Sequence, residues 1–258
     1  MPIKSYSPEL IVHGCLRSST ALRDAGDTGN TEHERQADAV SKWFPALSAL
    51  VVGPGLGRDE TLQSVAALVI ERAVAARLPC VIDADGLRVV MERPELIAGS
   101  QWTVLTPNRP EFGRMREKFA LSSTGEPNPV NEAAELAKFL NGPVIVRKGE
   151  VDVLSDSGGT ALQCSEVGCL KRCGGQGDVL AGSIATLLGW AHSAGGRLPD
   201  GAPPAPMLAA YAGCMLTRRF AAAAFAKQRR AMTAPDLIEA IGAEFERFAP
   251  AEPVEPLA

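Results

Sequence analysis

Aromatic residues make up only 5% of this 258-residue chain, histidine occurs three times, and no block of lysine and arginine offsets a net charge of -4. That balance offers no electrostatic footprint for nucleic acid or an anionic membrane, so a small molecule is the expected partner. No stretch approaches the ~18 consecutive apolar residues of a membrane span. Residues 1–14 have neither secretory nor transit-peptide character. A soluble, cytoplasmic protein is expected; a mitochondrial form would need a targeting segment upstream. None of Cys15, Cys80, Cys164, Cys169, Cys173 and Cys214 forms a C-x-x-C pair, which fits a reduced compartment. His13, His33 and His192 stand isolated, which gives no support to a Ser/His/Asp hydrolase or a histidine-ligated zinc site. G-x-x-x-x-G-K-[ST] is absent, which removes P-loop NTPases. The run Gly53-Pro54-Gly55-Leu56-Gly57 falls short of a dinucleotide fingerprint because Arg58 occupies the place of the last glycine.

What is present suits one buried α/β domain over 1–258, since 46% of the residues are hydrophobic. ALSALVVG, PCVIDA, QWTVLTP and PVIVRKG read as buried strands. VDVLSDSGGTALQCS reads as a hairpin turning at Asp156-Ser157-Gly158-Gly159. Helical periodicity follows Asp59, a plausible N-cap, and recurs near 109–119, 131–140, 178–194, 206–226 and 233–247. The polar stretch 14–41 reads as an exposed loop and 249–258 as a flexible tail. Alternation of strand and helix predicts a three-layer α/β fold, a mostly parallel sheet with helices on both faces. Its ligands belong at the carboxyl ends of the strands, and the glycine-rich and acidic motifs fall just after predicted strands.

The most informative motif is Gly174-Gly175-Gln176-Gly177-Asp178, followed at once by an apolar helix. Such a turn aims free N–H groups at an incoming phosphate or oxyanion, and Asp178 stands beside it as a candidate proton acceptor. The remaining motifs carry two readings each. Asp83 and Asp85 suit either waters around Mg²⁺ and substrate hydroxyls, or a helix cap and turn. Asn108-Arg109-Pro110-Glu111 suits either a capping box or the ordering of a Mg²⁺ water shell. Lys148 at a strand end can reach phosphate as a point charge or face solvent. Lys171 and Arg172 either add charge where a polyphosphate lies or form a basic surface loop.

Taken in order, VVGPGLGRD, VIDADGL, LTPNRPEF, VRKGEVD and CGGQGDVLAG resemble the ATP-dependent NAD(P)H-hydrate dehydratases of the ribokinase-like superfamily, over roughly Ser5 to Phe248. The resemblance implies a lyase that uses ATP and Mg²⁺ to repair the S epimer of hydrated NADH or NADPH (NADHX, NADPHX), releasing ADP and phosphate. By the same resemblance Asp178 is the catalytic base. ATP is held by Lys148, Gly149, Glu150, Val151 and Asp152 and by Gly168, Cys169, Leu170, Lys171, Arg172, Cys173, Gly174, Gly175, Gln176 and Gly177. The hydrated dinucleotide meets Gly55, Gly57, Asn108, Arg109, Pro110, Glu111, Phe112, Gly113, Arg114 and Asp178, and Glu111 acts on the metal through water. Asn108 and Gln176 resemble the ATP-using rather than the ADP-using branch. Family members begin with a Gly-rich βαβ unit that has no counterpart before KSYSPELIVH, so an N-terminally truncated domain with an exposed apolar face, lower stability and weak activity is expected. A homo-oligomer stays open. So do two competing roles: a ribokinase-like kinase that stops after phosphorylation, and an inactive binding protein.

Overall fold

In a computed structural model that describes residues 2–26, 31–121 and 128–250, six strands form one sheet in sequential order. They are β1 (Leu50–Val52), β2 (Cys80–Ile82), β3 (Thr103–Leu105), β4 (Val144–Arg147), β5 (Asp152–Ser155) and β6 (Ala161–Cys164). The first four run parallel, with Leu50 beside Cys80 and Cys80 beside Thr103. The last two pair antiparallel, Val146 facing Leu154 and Val153 facing Gln163.

Side-chain alternation along these strands sorts the core into two layers. Cys80, Ile82, Leu105, Ile145 and Val153 join one cluster; Val81, Val104, Val146 and Leu154 join the other. A chain that adds each parallel strand on the same side through right-handed crossovers must place every connecting helix on one face. Accordingly α3 (Glu60–Ala75), α4 (Asp85–Glu92), α5 (Arg109–Lys118) and α6 (Pro129–Leu140) contribute Ile70, Leu87, Met115 and Leu136 to the first cluster. The opposite face is left for α7 (Gln176–Ser193) and α8 (Ala205–Gln228), whose Leu180, Ile184, Met207 and Cys214 build the second. Finally α9 (Ala234–Phe248) packs Leu237 and Ala240 against Phe220. The three layers and mostly parallel sheet anticipated from the sequence are all present.

The stretch 14–41 departs from the expected loop. It contains α1 (Ser19–Asp24) and α2 (Glu32–Ser41), and Leu22, Gln36 and Ala37 are buried. Ala37 packs with Val65 and Val69 of α3, a contact too narrow to stand out among the surrounding charges. Asp59 anchors this addition. Its carboxylate accepts from the Thr61 and Leu62 amides, capping α3, and also from the Ser19 hydroxyl at 2.6 Å and the Ser19 amide. The Ser19 hydroxyl bond is the main reason its carboxyl is held below the ordinary range. The expected tail lies outside the described residues beyond Pro250.

At the carboxyl end of β1 the chain turns at Gly53, with φ +121, against the following strand's exit. A methyl group there would collide with the Asp83 carbonyl oxygen and lie 2.5 Å from the Gly86 amide. Gly55, with φ +69, has open space around it. Gly53→Ala is therefore expected to lower unfolding free energy by more than about 3 kcal/mol, because overpacking adds to backbone strain. Gly55→Ala should cost only about 1–2 kcal/mol of strain. Equal losses in chemical denaturation would refute the close-approach account.

Candidate active site

Four parallel strands end at one edge, and each delivers a motif there. Gly53 follows β1, Asp83 follows β2, Asn108 comes three residues beyond β3, and Lys148 follows β4. Main-chain bonds lock the edge, Asp83 N–H donating to the Val52 carbonyl and Lys148 N–H to the Pro107 carbonyl at 2.9 Å.

Asp83 is almost fully buried and its Oδ1 accepts from Lys148 Nζ at 2.8 Å. Lys148 is thus not a solvent-facing lysine; it neutralises a carboxylate inside the crevice and keeps one fifth of its side chain exposed. The glycine turn arrives above this pair. A methyl placed on Gly177 would sit 3.6 Å from Asp83 Oδ2 and 3.8 Å from Lys148 Nζ.

Gly175, with φ 85, caps α7 and lets the chain pass so close to Ala234 that any side chain would clash. Among the described residues, no main-chain carbonyl accepts from the Gly177 or Asp178 amide, as expected for a helix's first turn; the Gln176 amide makes a long bond to Cys173. Asp178 is exposed, and the same methyl probe at Gly175 lies 4.0 Å from its Oδ2. A cavity of about 640 Å³ opens beside Asp178 between α7 and α9, walled by Val179, Leu187, Trp190, Phe220, Ile241 and Phe245. The ion pair and the helix-start amides therefore meet at Gly177, and Asp178, the next residue, stays reachable from solvent.

Other expected site residues occupy supporting positions. Asp85 accepts from the Gly57 amide at 3.0 Å, so it shapes the 53–57 loop and leaves Gly55 exposed. Asn108 and Glu111 form a complete capping box: Asn108 Oδ1 accepts from the Glu111 amide, and Glu111 Oε2 from the Asn108 amide. Arg109, Pro110, Gly113 and Arg114 are exposed around it. Phe112, by contrast, is buried in the core beneath the Arg147 guanidinium, 5.3 Å away, which makes it a support rather than a contact surface.

The sequence offers two readings of Lys171, and the structure gives it main-chain partners that neither one names. Its Nζ donates to the carbonyls of Arg230 and Met232, both at 2.6 Å, and staples the 168–177 loop to the residues before α9. Cys169 donates to the Lys171 carbonyl, and Arg172 and Leu170 are exposed. Glu150 is exposed and Val151 half-buried, whereas Asp152 is buried against Arg218. Sequence reasoning missed Arg218 altogether; its signal was a charge four residues from buried Cys214 and three from buried Ala221 in an apolar helix. The buried thiols are inert by environment, burial pushing Cys80 up to about 12.

No group of three His, Cys, Asp or Glu among the described residues is placed to hold a metal. The donor set fits Mg²⁺ that keeps its waters and enters with phosphate oxygens rather than a resident ion. Glu111 has one carboxylate oxygen committed to the cap and the other left for a water.

A family model described as NAD(P)H-hydrate dehydratase matches residues 1–243. The ATP-dependent (S)-NAD(P)H-hydrate dehydratase of Bos taurus is 42% identical over 247 residues, covering 95% of this chain and 70% of the bovine protein. The Schizosaccharomyces pombe protein of the same name is 41% identical, covering 93% of this chain and 72% of its own length. Among solved structures, the ADP/ATP-dependent NAD(P)H-hydrate dehydratase of Bacillus subtilis, co-crystallized with ATP/Mg²⁺ and soaked with CoA, superposes with a TM-score of 0.54 at 24% identity. It covers 78% of this chain and 66% of the other. The hydroxyethylthiazole kinase protein of Pyrococcus horikoshii gives a TM-score of 0.61 at 16% identity over 85% of this chain and 84% of its own. These likenesses, with that to a ribokinase-like superfamily protein of Enterococcus faecalis (TM-score 0.61 at 18% identity over 87% of this chain and 75% of the other), establish the ribokinase-like fold, while the extent and identity of the sequence matches place the chain in the NAD(P)H-hydrate dehydratase family.

Proposed function

We propose that this chain carries out the ATP-dependent dehydration of the S epimer of hydrated NADH or NADPH, restoring the reduced cofactor and releasing ADP and phosphate. The observation that carries the reading is an exposed Asp178 on the glycine turn that opens α7, with unoccupied helix amides beside it and Lys148 next to Gly177.

Hydroxide is a poor leaving group, so the substrate's C6 hydroxyl is first esterified. Asp178 takes the hydroxyl proton as the oxygen bonds to the γ-phosphorus of ATP and the bridging bond to ADP breaks. The Gly177 and Asp178 amides, at the positive end of α7, offset charge on the transferring group. Lys148 adds a point charge on the same oxygens. Phosphate then departs with the C6–O bonding pair, a proton leaves C5, and the ring double bond re-forms. Mg²⁺, when bound, screens the phosphates, with Glu111 and Asn108 at the crevice mouth to order its waters.

Asp178→Asn removes the base without changing shape. Turnover, read from dihydronicotinamide absorbance with S-NADHX, ATP and Mg²⁺, should fall roughly 10²- to 10⁴-fold while the melting temperature holds. A loss of less than threefold would overturn the assignment. Phosphorylated product without recovered cofactor would instead identify a kinase.

The Asp83–Lys148 pair separates stability from binding. Lys148→Met strands a buried carboxylate and should cost about 3–5 kcal/mol as well as raise KM for ATP. Combining it with Asp83→Asn should restore most of the stability and none of the KM. Recovery of both, measured by melting and kinetics, would show that Lys148 serves the fold alone.

A further inference from the structure

One side chain outside every motif holds together the two segments assigned to the nucleotide. Arg218 of α8 donates through Nε to Asp152 Oδ2 at 2.8 Å, through one terminal nitrogen to the Gly149 carbonyl at 3.0 Å, and through the other to the Glu166 carbonyl at 3.2 Å. Asp152 Oδ1 in turn accepts from the Gly149 amide at 2.9 Å, so both main-chain polar groups of Gly149 are fixed by the pair. The ion pair is largely enclosed, at 17% and 9% side-chain exposure. Gly168 lies across the aliphatic part of Arg218, and neighbouring Arg219 reaches Glu166 Oε2 at 3.3 Å.

The turn 149–152 begins one residue after Lys148, and Glu166 opens the stretch that runs into the 168–177 loop and Asp178. A single planar cation thus sets the distance between the two walls. Stability alone is a weak reason for such an arrangement, because well-packed apolar residues often replace a buried ion pair at no loss. Three divergent acceptors held in one plane are what a guanidinium supplies and an ammonium cannot.

We infer that Arg218 is a positioning residue for ATP: it fixes the 149–152 turn and the 166–168 segment at the separation the nucleotide requires. This rests on the proposed ATP-dependent reaction. Arg218→Lys keeps a charge for Asp152 but cannot span both carbonyls. In the folded variant, ATP affinity by calorimetry should weaken roughly 10- to 100-fold, the scale of small misplacements in a site. KM for ATP should rise in step, with KM for the hydrated dinucleotide and kcat at saturating ATP within about threefold.

Unchanged ATP binding, or an equal shift in both KM values, would overturn the inference. If the variant does not fold, hydrogen exchange on the unaltered protein decides. Added ATP should protect the 149–152 and 166–168 amides together, and protection of only one segment counts against the role of Arg218. Failure of the unaltered protein to bind ATP would instead overturn the proposed reaction.

Discussion

The direction in which each strand ends governs everything at the crevice. β1 to β4 run parallel and finish at one edge; β5 runs back, and β6, antiparallel to β5, returns to the same sense as β4. The hairpin therefore delivers Cys164 to the edge that already carries Gly53, Asp83, Asn108 and Lys148. From there the chain has eleven residues, 165–175, in which to reach the start of α7. A hairpin with one strand fewer would leave the chain at the opposite edge, and the glycine turn would face away from Lys148. Strand parity, not local sequence, brings Gly177 within reach of the Asp83–Lys148 pair.

Glycine makes that meeting close enough to matter. Any side chain at Gly175 would strike Ala234, whereas a methyl at Gly177 would only touch the ion pair at contact distance. With glycine at 175, the helix start sits against Asp83 and Lys148 while Asp178 stays open to solvent. The burial of Asp83 has a cost that Lys148 offsets, and this ties the lysine to the crevice before any nucleotide arrives. For the proposed phosphate contact such a preorganised cation needs little rearrangement.

Local features were legible in the sequence because their causes are local. The Asn108 and Glu111 capping box, the Asp59 cap, the hairpin turn and the glycine turn are each decided within a few residues. The strand and helix pattern follows from periodicities of two and 3.6. The pairs that shape the site are not local: Asp83 and Lys148 are 65 positions apart, Asp152 and Arg218 66. The partners of Lys171 were illegible for the same reason, since the carbonyls it meets belong to residues about 60 positions later. The helices within 14–41 were missed because α2 buries Glu32, Gln36 and Ala37, a single apolar residue beside two polar ones, and so carries little periodic signal.

The observed capping box and the proposed water-ordering role of Asn108 to Glu111 are compatible. A carboxylate has two oxygens, and the cap uses a single one: Oε2 receives the Asn108 amide and fixes the side-chain rotamer. The same bond restrains the free oxygen relative to α5 without further support. An exposed glutamate on a flexible loop would lose conformational freedom each time it ordered a metal-bound water. Here that freedom is already lost when α5 forms, which is what the proposed role of Glu111 on a water shell requires.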